Sequence, residues 1–184
     1  GGLVWRGSGL DLDDLEMRLM GSHQAENAAV AVATALSLSD PPGADAIREG
    51  LRTVSHPGRM EWVTDRVLVD CAHNGGGADR LADHLRGMEF LPESRTLLIG
   101  ASQDKDVRSI VVPLAPLFDR VYTTQCAHPR AMSAGALADQ LIGIDATVLP
   151  TGRVEEALPL ALQRSGLVVV AGSVFLAGAV RDII

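Results

Sequence analysis

Very little of this sequence is aromatic: Phe, Trp and Tyr together supply 3% of its 184 residues. Aliphatic side chains and alanine must therefore fill the core, and the 47% hydrophobic content is enough for a sizeable one. Cysteine is nearly absent. Cys71 and Cys126 are too few for a disulfide framework and too far apart for a zinc signature, so a reduced, cytoplasmic setting is the default expectation. Lysine occurs once, at Lys105, while arginine is common, a bias that genome composition explains. Positive charge is in deficit: the formal net charge is −7 and the pI is near 5.1. That argues against a general nucleic-acid binder, but not against a small anionic ligand held at a local positive site. Long apolar runs are missing as well. Ala25–Leu38 and Leu167–Val180 are too short to span a bilayer, and Gly172-Ser173 interrupts the second. Trp5-Arg6-Gly7 leads into an acidic stretch, not a secretory leader. The G-x-x-x-x-G-K-[ST] phosphate loop and the G-x-G-x-x-G fingerprint are both absent, and no carboxylate cluster marks a magnesium site.

The most informative stretch is Arg66-Val-Leu-Val-Asp-Cys-Ala-His-Asn-Gly-Gly-Gly77. Val67–Val69 reads as a short buried strand, with Asp70 and His73 at its end. Gly75-Gly76-Gly77 lets the backbone turn sharply, and Leu81, Ala82 and Leu85 follow at helical spacing. Strand, polar turn and helix are the parts of an α/β site, where ligands gather at the carboxyl ends of parallel strands.

Taken in order, Gly1–Gly9 is a polar start or strand remnant. Leu10–Met20 fits a helix or a strand equally well. Ala25–Leu38 is an alanine-rich helix with Ser22 as candidate N-cap, stopped by Asp40-Pro41-Pro42-Gly43. Ala44–Val54 is a second helix, and His56-Pro57-Gly58-Arg59 is a rigid turn into the next unit. From there strands at 61–63, 67–70, 96–100, 120–124, 146–149 and 167–171 alternate with helices at 77–88, 107–117, 133–142, 154–163 and 174–184. The pattern predicts an α/β fold, a Rossmann-like, mostly parallel sheet flanked by helices with right-handed crossovers.

The strand ends carry a polar series: Asp70 and His73; then Asp104-Lys105-Asp106; then His128-Pro129-Arg130; and last Gly172-Ser173. In an open sheet these loops share one edge, so carboxylates, two histidines, a lysine and an arginine converge there. Such a set suits an anionic, zwitterionic or nucleotide ligand. Each member also has a plain structural reading. Asp70 can cap a turn, His73 can be a satisfied loop histidine, and Asp104 to Asp106 can open a helix. His128 and Arg130 can be surface residues, Ser173 can cap the last helix, Asn27 can be a first-turn polar residue, and Arg59 can pair with Glu61.

A series of short stretches then resembles one family. It comprises Gly21-Ser-His-Gln-Ala-Glu-Asn-Ala-Ala29, Pro57-Gly-Arg-Met-Glu61, Asp70-Cys-Ala-His-Asn74, Gly100 through Asp104-Lys105-Asp106, Pro129-Arg-Ala131 and Gly172-Ser-Val-Phe-Leu-Ala-Gly178. In order and spacing it is similar to the C-terminal half of the folylpolyglutamate synthase/dihydrofolate synthase family, a branch of the Mur ligases. Cys71 stands where that family usually has Gly, and Gly75 where it usually has Pro.

The resemblance implies two units: residues 1–56, the helical remnant of a central ATP-binding ligase domain, and residues 57–184, the C-terminal glutamate ligase domain. It implies an ATP-dependent ligase that adds L-glutamate to folate or dihydropteroate through an acyl phosphate. The phosphate loop and the Mg2+ ligands would lie in an N-terminal P-loop domain of the same protein, so this chain alone would be inactive. Asn27 would contact adenine, Arg59 the ATP phosphates, and Asp70 the ribose or the hinge. His73 and Ser173 would lie near the incoming glutamate, with Asp104, Asp106, His128 and Arg130 around it and Lys105 facing the reaction centre. A cytoplasmic monomer without nucleic-acid or membrane partners is implied. The competing readings are a non-catalytic nucleotide-binding or regulatory α/β module, and a Mur-type ligase for another acid and amino acid.

Overall fold

The computed structural model describes residues 3–7, 10–88 and 92–184, with Ser22 described by its backbone alone. The chain divides into two compact units, Gly1–Pro57 and Gly58–Ile184. No helix among the described residues is long and apolar enough to cross a membrane.

The first unit resolves the ambiguous start. Strands β1 (Leu3–Gly7) and β2 (Leu10–Leu15) form an antiparallel hairpin, followed by helices α1 (Ser22–Leu36) and α2 (Ala44–Thr53). In β2 Leu10 and Leu12 alternate with Asp11 and Asp13, and an irregularity at Asp14 (φ +53), where the pairing with β1 shifts register, brings Leu15 into the same small core as Leu12, Val32 and Ile47. Helix α1 starts with Gly21 at its N-cap position; the capping role expected of the Ser22 side chain lies outside the described residues.

The second unit is a six-stranded sheet in the order β3-β4-β8-β5-β6-β7. Its strands are β3 (Glu61–Thr64), β4 (Val67–Val69), β5 (Arg95–Ile99), β6 (Arg120–Gln125), β7 (Val148–Arg153) and β8 (Leu167–Ala171). Only β3 runs antiparallel; the others are parallel. The expected mixed α/β, mostly parallel architecture is therefore the observed one. Between and after these strands lie α3 (Gly75–Arg86), α4 (Val107–Val111), α5 (Ala134–Gln140), α6 (Val154–Arg164) and α7 (Val174–Ile183). Every residue of β4 and β8 is buried, as a sheet covered on both faces requires. Val67, Val69, Leu98, Val168 and Val170 pack under α6 and α7. Leu68, Leu97, Ile99 and Val169 alternate to the opposite face and are also fully buried.

The connections decide where a ligand can sit. From β4 the chain moves outward through β5, β6 and β7, then returns through α6 and inserts β8 between β4 and β5. The crevice at the carboxyl ends of β4, β8 and β5 is thus a topological switch point.

Prolines account for two boundary differences. The helix expected over 107–117 stops at Val111 and resumes only as a 3-10 turn at Ala115–Leu117, because Pro113 and Pro116 lack the N–H groups a continuous helix needs. The strand expected over 146–149 runs instead from Val148 to Arg153, through Pro150, which an edge strand tolerates. At the end of α6, the Arg66 Nη2 donates to the carbonyls of Leu162 at 2.6 Å and Ser165 at 2.5 Å. Arg66→Ala leaves these terminal carbonyls to water and is expected to cost about 1–2 kcal/mol in urea unfolding.

Candidate functional site

Asp70 closes β4 and is 6% exposed. Its Oδ2 accepts the Met60 N–H at 2.9 Å and its Oδ1 accepts the Ala72 N–H at 2.7 Å. One carboxylate therefore ties together the turn that carries Arg59 and the turn that carries His73. The first turn is tightly specified. Gly58 has φ +71 and Met60 φ +47, and the Gly58 carbonyl accepts from Cys71 N at 2.7 Å. Arg59 sits half-buried between them. Glu61, the nearest carboxylate in sequence, accepts instead from Gly58 N at 2.7 Å and pairs with Arg181 at 3.4 Å. Burial pushes the Cys71 thiol above its ordinary range, with the Asp70 charge adding to it, so it serves as an apolar filler under Gly58.

His73 is half-buried, and its Nδ1 lies 2.9 Å from the Cys71 carbonyl. A carbonyl only accepts, so that bond assigns the proton to Nδ1 and leaves Nε2 as the ring's acceptor. Asn74 then caps α3 through Gly77 N at 2.9 Å. Further along α3, burial lowers the His84 pKa from its ordinary 6.5, and the Asp70 charge opposes that shift. The native state thus favours neutral His84, while the unfolded chain takes up the proton first as pH falls. Its contribution to stability is complete above about pH 6.5 and is lost as pH falls through the lower native value. His84→Gln is expected to flatten this part of a melting-temperature profile between about pH 7 and 5.

Between β8 and α7 the chain passes through Gly172 at φ +104. A Cβ there would lie 2.5 Å from the Gly100 carbonyl oxygen and 2.7 Å from Ile99 Cδ1, so the β5 and β8 ends meet as only glycine allows. Ser173 is buried and caps α7, its Oγ accepting from Phe175 N at 3.1 Å.

The loop after β5 folds against the loop after β6. Gln103 N donates to the Arg130 carbonyl and Met132 N to the Ala101 carbonyl, both at 2.9 Å. Lys105 Nζ lies 3.3 Å from Asp104 Oδ2. That hydrogen bond, with a backbone bond and the charges of Lys105 and Arg130, holds the Asp104 carboxyl below its usual range. Asp106 turns away to cap α4 at Ser109 N, 3.2 Å. His128 stacks on Phe175, ring centroids 3.6 Å apart.

The outcome is a cleft of about 150 Å³ at the switch point, lined by His73, Ser102, Asp104, Lys105, Arg130, Ser173 and Phe175 among others. Five residues of the expected series, His73, Asp104, Lys105, Arg130 and Ser173, thus line one cleft. Asp70 and Asp106 point their carboxylates into backbone bonds. Asn27 lies in the first unit, where its Nδ2 donates to Gln24 Oε1 at 3.0 Å and its side chain lines an apolar groove of about 540 Å³. That groove is the larger cavity, but it lacks the charged groups that chemistry needs; the smaller cleft has them. Ser102 and Phe175 lie inside the matching stretches at 100–106 and 172–178 but are not singled out by spacing or charge, since each reaches the cleft only through the pairing of distant loops. Among the described residues no group of three or more His, Cys, Asp or Glu side chains could hold a metal ion.

The cleft combines the N-terminus of a ten-residue helix with Lys105 and Arg130, a setting that attracts carboxylates within an acidic chain. Asp104 supplies the opposite charge for an ammonium group. Comparison with known proteins agrees in kind. Residues 58–174 match the model of the Mur ligase, glutamate ligase domain family. The dihydrofolate synthase/folylpolyglutamate synthase of Mycobacterium tuberculosis is 36% identical over 143 residues, 74% of this chain and 29% of that protein. A crystal structure of Mycobacterium tuberculosis folylpolyglutamate synthase complexed with ADP and AMPPCP superimposes with a TM-score of 0.87 at 32% identity, covering 100% of this chain and 45% of that one. The bifunctional folylpolyglutamate synthase/dihydrofolate synthase of Yersinia pestis, complexed with AMPPNP and Mn ion, gives 0.78 at 28% identity, covering 97% and 43%. The chain spans less than half the length of each of these relatives. It belongs to the Mur ligase, glutamate ligase domain family, in the folylpolyglutamate synthase/dihydrofolate synthase branch.

Proposed function

We propose that this chain is the glutamate-binding portion of a longer ATP-dependent ligase that adds L-glutamate to folate or dihydropteroate. The observation that carries the reading is the convergence of Lys105, Arg130, Asp104, His73 and Ser173 on one cleft at the N-terminus of α7. Glutamate presents two carboxylates and one ammonium group, and the cleft offers two cations, a helix N-terminus and a carboxylate.

In the proposed reaction a carboxylate of the pterin-bearing acid attacks the γ-phosphorus of ATP, giving an acyl phosphate and ADP. The deprotonated glutamate amine then attacks the acyl carbon, and inorganic phosphate leaves as the amide forms. His73 Nε2, the free acceptor of its ring, takes the amine proton. Lys105 offsets charge on the transferred phosphoryl or acyl oxygens, and Arg130 and Ser173 orient the amino acid. Such chemistry is mostly positioning and charge stabilisation. Arg59, on its pinned turn, is assigned to the ATP phosphates and Asn27 to adenine. The relative from Yersinia pestis is described with a manganese ion. The described residues of this chain do not fit a metal site, so the divalent ion is assigned to the N-terminal part of the protein and no step is routed through it here.

The test is ATP-dependent incorporation of labelled L-glutamate by the complete protein, with folate and dihydropteroate as acceptors, beside the isolated chain. The complete protein is expected to release one phosphate per glutamate joined, and the isolated chain to join none. Glutamate-independent ATP turnover, or transfer by the isolated chain, would contradict the reading.

A further inference from the structure

We propose that His128 is a positioning residue for the amino-acid substrate: its ring bridges α7 to Arg130, and it does not itself contact the substrate. The inference rests on the function proposed above. The loops after β4, β5, β6 and β8 build the wall of the cleft, and Gly172 N to Ala72 O at 2.7 Å and Gly100 N to Ala171 O at 3.3 Å tie the β8 end to the β4 loop and to the β5 end. Gln103 N to Arg130 O and Met132 N to Ala101 O zip the β5 loop to the β6 loop. The His128 ring links the β6 loop to the start of α7. One face stacks on Phe175 at 3.6 Å and 16°, and its Nδ1 accepts the backbone N–H of Arg130 at 3.2 Å. An accepting Nδ1 assigns the ring proton to Nε2. The His128 backbone is occupied too, its N–H donating to the Cys126 carbonyl at 2.8 Å and its carbonyl accepting from Ala131 N at 2.9 Å.

This arrangement fixes the backbone of Arg130 relative to Ser173 and Phe175, which line the same cleft. Arg130 is exposed and its long side chain is costly to order; a fixed backbone lowers that cost before substrate arrives. Arg130 is assigned to a non-reacting part of the amino acid. Losing its placement therefore weakens ground state and transition state alike, which raises KM and spares kcat.

The test varies L-glutamate at saturating ATP and acceptor in the complete protein. His128→Ala is expected to raise the KM for glutamate about five- to tenfold, the effect of one hydrogen bond and part of a ring stack, with kcat within about twofold. Phe175→Leu is expected to raise it similarly, and the double variant to be no worse than the poorer single one, because the two rings act as one unit. His128→Asn keeps an acceptor at the δ position without a ring face. It is expected to fall between wild type and His128→Ala, and it carries the comparison if the alanine variant does not fold. An unchanged KM in the His128 variants, a fall in kcat alone, or independent addition of the two ring effects overturns the inference. A wild-type protein with no saturable dependence on glutamate overturns the proposed function itself.

Discussion

Gly172→Ala is expected to remove about 3–5 kcal/mol from the stability of the Gly58–Ile184 unit. Two costs combine. The backbone sits at φ +104, where an L side chain is strained by about 1–3 kcal/mol. The new Cβ also meets the Gly100 carbonyl oxygen at 2.5 Å and Ile99 Cδ1 at 2.7 Å, an overpacking that typically costs about 1–3 kcal/mol. The Ile99 side chain can rotate away, but the Gly100 carbonyl yields only if the β8 end moves away from β5, beside the cleft that Ser173 and Lys105 line. Gly178→Ala is the control. Gly178 lies within α7 with nothing inside 4 Å of an added Cβ, so alanine is expected to stabilise by about 0.5–1 kcal/mol. Urea unfolding of the two variants measures both, and equal midpoints would contradict the account.

Asp70→Ala is the second large effect, expected to cost about 3 kcal/mol or somewhat more. The substitution strips the acceptor from two N–H groups, Met60 and Ala72, at a position only 6% exposed. A buried donor left without its partner costs about 1–3 kcal/mol. The consequence extends to the cleft, because Met60 sits at φ +47 and Arg59 precedes it. Amide hydrogen exchange is expected to rise at Met60 and Ala72 together. Asp70→Asn keeps one acceptor oxygen but turns an NH2 toward a donor, so it is expected to recover only part of the loss. A full recovery would mean that the carboxylate charge and both oxygens matter less than this geometry implies.

These two residues also mark what the sequence could and could not reveal. The alternation of apolar runs with helical spacing was enough to read the parallel sheet, because fully buried strands such as Leu167–Ala171 are nearly pure Val, Leu and Ala. It was enough to read the polar loops as sharing one edge, since parallel βαβ units place their strand ends together. Asp70 and Gly172 were legible as special residues but not in their detail. Which atoms the Asp70 carboxylate meets depends on a hairpin partner, β3, whose antiparallel pairing is a tertiary fact. Whether Gly172 is needed for its turn or for a close approach depends on β8 lying against β5, which local spacing does not encode. Leu10–Leu15 needed its hairpin partner before alternation could win over helical spacing. The stack of His128 on Phe175 joins loops that the chain order separates by two helices and two strands, and no periodicity announces it.

The measurement that bears most directly on the central claim is a titration of this chain with L-glutamate, followed by backbone amide shifts. A preformed glutamate site predicts saturable shifts at Ser173, Val174, Phe175 and Lys105, weaker with glutarate, which lacks the ammonium group, and lost in Lys105→Met. Shifts that never saturate, that appear only outside the cleft, or that persist unchanged in Lys105→Met would contradict it.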